Sequence, residues 1–288
     1  MDQRIIHLFD EYTHKPLRRD EFISRLVKLT GSMAAAMSVL PLLEVNYAHA
    51  ATVPENAPGI NGQDITYEGD GTTMKAYLVK PEAAGSAKKG AVLVIHENRG
   101  LNPHIRDVTR RVAQAGYIAM APDALSPFGG TPQNEDEARN QIGQLDAVKN
   151  RNSFLKGLDY LAALPECNGN TGCVGFCWGG ALSNQLAVHA PNLKAAVAYY
   201  GRQPDAAAVP NIRAAVQLHY GGLDERINAG IPAYEAALKA AGVQYELYVY
   251  EGAQHAFNND TAPTRYNKEA AQLAWGRTLR WFETYLGA

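Results

Sequence analysis

Val174-Gly175-Phe176-Cys177-Trp178-Gly179-Gly180 reads as the end of a buried strand that turns at once into a helix over residues 180–189. A side chain at the apex of so tight a turn projects from the carboxyl end of the strand, and small residues are needed on either side of it. Gly175 and Gly179 supply them. Cys177 thus occupies a nucleophile's position, and the free N–H groups and positive dipole end of the following helix point towards it, a setting that favours a thiolate. Gly-x-Cys-x-Gly alone is equally compatible with a cysteine that is merely buried, so the surrounding pattern has to decide.

From residue 63 onward, β-rich runs alternate with helical ones, the pattern of βαβ crossovers and a mostly parallel sheet. Residues 65–67 and 73–79 alternate as half-exposed edge strands joined by a turn at Gly69-Asp70-Gly71. Residues 91–95 and 117–121 are continuous apolar runs, as strands covered on both faces require, with a capped helix over 102–115 between them. A Pro/Gly-rich loop at 127–132 and a long helical region over 135–164 lead to the strand at 174–176. Further strands are expected at 193–199, 214–219 and 245–250 and a helix at 232–241. In a closing helix Trp275, Leu279, Phe282 and Leu286 recur on one core-facing side. The expected fold class is α/β, with a mostly parallel central sheet and helices on both faces.

The 288 residues are 46% hydrophobic and 19% charged, enough for one large core, and no linker-like stretch divides the second half. A net charge of -2 without a basic, aromatic-interleaved cluster argues against nucleic acid as a partner. Three cysteines exclude a disulfide-stapled scaffold, and no Cys/His cluster has zinc spacing, so no zinc site is expected. Cys167 and Cys173 flank a turn-like stretch and are either unpaired or joined in an oxidising compartment.

Residues 1–50 form an N-terminal extension ahead of a domain spanning 51–288. Arg18-Arg19, Arg25 and Lys28 precede a weakly apolar run at 31–43, and Ala48-His49-Ala50 resembles a cleavage site. Two readings stay open. One is a twin-arginine-like export signal and a periplasmic protein; the other is an uncleaved amphipathic helix lying on the following domain, and a cytoplasmic one. Asp20 and Glu21 depart from the export pattern. The run falls short of the roughly 20 apolar residues that a membrane span needs.

Two partners for Cys177 follow it in the order acid, then histidine. Asp224 lies in Gly221-Gly222-Leu223-Asp224, just past a strand end, and His255 follows the last strand. His96 also ends a strand, but it precedes the nucleophile. Three chemical roles on three strand ends point to a triad on an α/β-hydrolase fold, with Cys177 as nucleophile, Asp224 as orienting acid and His255 as base. The third strand runs into His96-Glu97-Asn98-Arg99-Gly100, where this fold places one oxyanion-hole donor; the backbone N–H groups of Asn98 and Trp178 are assigned to that hole.

From about residue 63 to the C-terminus the sequence resembles the dienelactone hydrolase (carboxymethylenebutenolidase) family. The stretches that carry the likeness are 96–100, Pro122-Asp123, 175–180, Tyr199-Tyr200-Gly201, 222–224 and 252–257. The resemblance implies cleavage of a lactone or small carboxylic ester through a thioacyl enzyme without metal or organic cofactor, and it implies that Glu97 holds the resting thiol until substrate frees it. The family's best-known substrate carries a carboxylate held by arginines, one of them at the position where this chain has Asn259. Arg99, Arg139 and Arg202 are the substitute candidates for an anionic group. A broad carboxylesterase or thioesterase on the same triad is the alternative within enzymes; a non-catalytic or thiol-redox-sensing α/β domain is the alternative outside them. The expected partner is a small-molecule ester or lactone, and the expected state a monomer.

Overall fold

The computed structural model describes residues 2–14, 17–43, 52–82 and 87–287. β1 (Ile60–Glu68) and β2 (Thr73–Pro81) form an antiparallel hairpin, and β2 also pairs antiparallel with β4 (Ile118–Pro122). From β4 the sheet continues in parallel through β3 (Lys89–Ile95), β5 (Cys167–Phe176), β6 (Ala195–Tyr199), β7 (Ala215–Gly221) and β8 (Tyr245–Tyr250). The α/β expectation holds.

Side chains along a strand alternate between faces, so each central strand feeds two cores. Leu93, Ile95, Ala196 and Ala198 pack with residues of α6 (Ala147–Ala162), α7 (Trp178–His189) and α9 (Ile231–Ala240). Val92, Val94, Val197 and Tyr199 pack on the other side with α4 (Pro103–Gln114) and α10 (Lys268–Leu286). Because β3, β5, β7 and β8 are parallel, their carboxyl ends lie along one edge of the sheet, where open α/β sheets bind ligands.

Several expectations are corrected. β2 is interior rather than an edge strand, since it hydrogen-bonds on both sides. The helical region at 135–164 is two helices, α5 (Glu135–Ile142) and α6, because Asp146 caps the second by accepting from the N–H groups of Val148 and Lys149. Cys167 and Cys173 both lie within β5 instead of on either side of a turn. The stretch between them is taken up by a register shift against β3 with Gly169 at φ 87°. Among the described residues, no disulfide joins any of the three cysteines. On α10 the buried side is made by Ala271, Ala274, Thr278, Trp281 and Phe282, which leaves Trp275 and Leu279 at its margin.

Ahead of the sheet, α1 (Gln3–His14), α2 (Arg19–Thr30) and α3 (Met33–Leu43) enclose a small core of their own, in which Phe9, Phe22, Leu26 and Leu43 are buried. The expected cleavage motif, Ala48-His49-Ala50, lies outside the described residues. Among those that are described, no single helix is long and apolar enough to cross a membrane.

Phe154 on α6 is fully buried and meets the Trp178 ring edge-on at 6.4 Å, so it supports the start of α7 from below. Phe154→Ala is expected to lower the unfolding free energy by about 3–5 kcal/mol in urea titrations, since a ring-sized cavity is left behind.

Candidate active site

Cys177 has φ 55° and ψ -112°, a conformation that L residues rarely adopt, at the junction of β5 and α7. The turn is pinned by two backbone bonds: Cys177 N–H donates to Tyr199 O (3.0 Å), and Ala181 N–H donates to Cys177 O (3.1 Å). A Cβ on Gly175 would run into the Gly179 carbonyl, and one on Gly179 would run into the backbone at Ile95 and His96. The two glycines let α7 begin hard against β3, with the thiol at the helix N-terminus. Trp178 is the first residue of α7, so its N–H is one of the donors that no helical carbonyl can reach.

Asp224 follows β7 and His255 follows β8; both are buried. His255 Nδ1 lies 2.5 Å from Asp224 Oδ2, a pairing that places the Nδ1 proton between them and fixes the ring's orientation. Ala256, next in the chain, has φ 64°, so the histidine too is held by a strained turn. Cys177 and His255 both line a cavity of about 870 Å³, together with Asn98, Trp178, Tyr200 and Ile227.

The loop after β3 is fixed by His96. Its Nε2 accepts from Ala124 N–H (3.1 Å), so the proton sits on Nδ1, which donates to Glu97 O (2.6 Å). Its ring stacks on Trp178 at 5.3 Å. Burial lowers its pKa below the ordinary imidazole value, which keeps it neutral and committed to these bonds. Glu97 Oε2 accepts from Asn259 Nδ2 (2.8 Å), and Asn259 Oδ1 in turn accepts from Thr261. Asn259 therefore holds the Glu97 carboxylate in place.

Of the candidate arginines, Arg99 is buried, pairs with Glu135 (2.5 Å) and is not among the residues lining the cavity. Arg139 and Arg202 both line the cavity. Arg139 donates to Tyr12 O (2.5 Å), whereas the Arg202 side chain is exposed. Sequence reasoning gave no role to Tyr200. It has φ 40°, its ring lies 5.0 Å from that of His255, and its hydroxyl is buried with no hydrogen-bond partner among the described residues. Burial first, then the nearby Glu97 and Cys177, hold its phenol well above the usual range. The Tyr199-Tyr200-Gly201 motif was the signal for it. Sequence reasoning also missed the cavity wall formed by Tyr12, Thr13 and Leu17; the helical spacing of Ile5, Leu8, Phe9 and Tyr12 signals a face to bury, and that face packs with α2 and α3.

Residues 74–286 match the model of the dienelactone hydrolase family. A protein of Salmonella typhimurium with the provisional name carboxymethylenebutenolidase is 34% identical over 249 residues, covering 81% of this chain and 90% of that one. A protein of Escherichia coli (strain K12) with the same provisional name is 34% identical over 250 residues, at the same coverage. A solved structure from Klebsiella pneumoniae, provisionally titled a dienelactone hydrolase, superposes with a TM-score of 0.70 at 30% identity, over 78% of this chain and 99% of that one.

Asn259→Leu removes the donor to a buried carboxylate and is expected to cost about 1–3 kcal/mol in chemical unfolding. The neighbouring Asp260 pairs with His104 and Arg111. Burial pushes its carboxyl up, but the hydrogen bond and charge of His104, together with Arg111, outweigh this and hold it at about 2, against an ordinary 3.8. A depressed acid stabilises the fold above its unfolded pKa and loses that contribution as pH falls through the folded value. The stability difference between the parent and Asp260→Asn should therefore be full near about pH 6 and close as the pH is lowered towards about 2, read from urea midpoints.

Proposed function

The chain belongs to the dienelactone hydrolase family and hydrolyses ester or lactone bonds, and from that premise we propose that it works through a thioacyl intermediate on Cys177. The observation that carries the reading is that His255, paired with buried Asp224, opens with the strained Cys177 onto one cavity.

In this mechanism the Cys177 sulfur attacks the carbonyl carbon while His255 Nε2 takes the thiol proton. Asp224 holds the imidazole in the tautomer whose Nε2 carries the accepting lone pair, and stabilises the imidazolium once it forms. The developing oxyanion is met by the backbone N–H groups of Asn98 and Trp178. Collapse of the tetrahedral intermediate breaks the C–O bond, and His255 returns its proton to the departing oxygen. For a lactone that oxygen stays tethered to the acyl group. Water, deprotonated by His255, then attacks the thioester and releases the acid and the thiol. Glu97 is the proposed partner of the resting thiol; its closeness to Tyr200, which also neighbours Cys177, supports that role.

A cavity near 870 Å³ is at the large end of small-molecule sites, and this favours esters broader than a small lactone as additional substrates. Redox sensing with Cys173 as resolver is disfavoured, because Cys173 is fully buried, hydrogen-bonded to Ser183, and pushed up to about 12 by burial.

Cys177→Ala is expected to reduce hydrolysis of p-nitrophenyl acetate by about a thousandfold or more. Asp224→Asn should lower kcat on the order of 1,000- to 10,000-fold with little change in KM. Parent-like turnover by Cys177→Ala would refute the nucleophile assignment.

A further inference from the structure

We propose that the N-terminal helices are a specificity-determining wall of the active site, in which the end of α1 and the start of α2 set the size of group admitted to Cys177. The inference rests on Cys177 being the reacting thiol.

The wall touches the loops that carry Asn98, Asp224 and His255. Thr13 O accepts from Asn98 Nδ2 (2.7 Å), on the residue whose N–H is assigned to the oxyanion hole. Gln3 accepts from Gln254 (2.9 Å), next to His255, and Asp10 lies 3.9 Å from Arg226, two residues past Asp224. On α5, Arg139 donates to Tyr12 O, and Asp136 accepts from the Tyr12 hydroxyl (2.6 Å) and pairs with Arg19 (2.8 Å). Tyr12, Thr13, Leu17, Arg18 and Arg19 line the same cavity as Cys177 and His255.

Tyr12 is the rigid member. Its ring is stacked on Phe22 with centroids 4.4 Å apart, and the Arg139 guanidinium lies over it at 4.0 Å. A side chain gripped by an aromatic, a cation and a carboxylate keeps one position, so it bounds the space beside the thiol instead of yielding to an incoming group. The stretch precedes the residues matched by the family model, which begin at 74. This part of the site is therefore additional to the matched enzyme body.

The test measures access to Cys177 in the full chain without relying on turnover. N-ethylmaleimide and the bulkier N-(1-pyrenyl)maleimide are compared by peptide mapping, with rates normalised to glutathione, in the parent, Tyr12→Ala and Arg139→Gln. Cys173, sealed in the core, serves as the internal standard for an intact body. The parent should discriminate against the bulky reagent, and each variant should raise the bulky-to-small ratio by about tenfold, the effect of losing one anchoring contact. In a second measurement, kcat/KM for p-nitrophenyl octanoate relative to acetate should rise in the same variants, chiefly through KM. A parent that labels with glutathione's ratio, or variants that keep the parent's ratio, would overturn the proposal. Failure of Cys177→Ala to lose ester hydrolysis would overturn the mechanism above and leave the labelling result standing.

Discussion

The rest of the site depends on one backbone constraint, the left-handed turn that ends β5 and begins α7. It forces the thiol out of the sheet edge, brings the first N–H groups of α7 beside it, and requires the helix to start in contact with the backbone of β3. That contact places Trp178 against His96, and His96 in turn anchors the loop holding Glu97 and Asn98. The parallel order of β3, β5, β7 and β8 does the remainder, because strands running the same way deliver their end loops to the same side.

The polar groups around the thiol form a second dependent system. His96 satisfies both ring nitrogens within the protein, and Asn259 both donates to Glu97 and accepts from Thr261. Buried polar groups that are all paired hold a single arrangement, because any other would leave a desolvated donor or acceptor. Tyr200 departs from this pattern, with its ring 5.0 Å from that of His255 and a buried hydroxyl that has no hydrogen-bond partner among the described residues.

Much of this was legible in the sequence where the physics is local. Continuous apolar runs marked the covered strands, the glycines marked the sharp turn, and the order Cys177, Asp224, His255 marked three strand ends. What escaped depends on distant contacts or on modest side chains. Alternation in residues 73–79 could not say that a second strand lay beside β2. Ala271 and Ala274 bury the face of α10 without standing out beside Trp275. Nothing near Arg99 in the sequence reveals Glu135, 36 positions away, as its partner. The placement of Thr13 against Asn98 spans 85 residues, and no periodicity encodes it.

The helices α1, α2 and α3 own a core separate from the two that flank the sheet, and the bonds quoted between them and the enzyme body are mainly polar. A joint of that kind can be redrawn by a few surface substitutions without disturbing the packing on either side of it. Residues that decide which molecules enter are thereby inherited on a different stretch of chain from those that break the bond. Selection can widen or narrow the range of substrates while the reacting groups stay as they are.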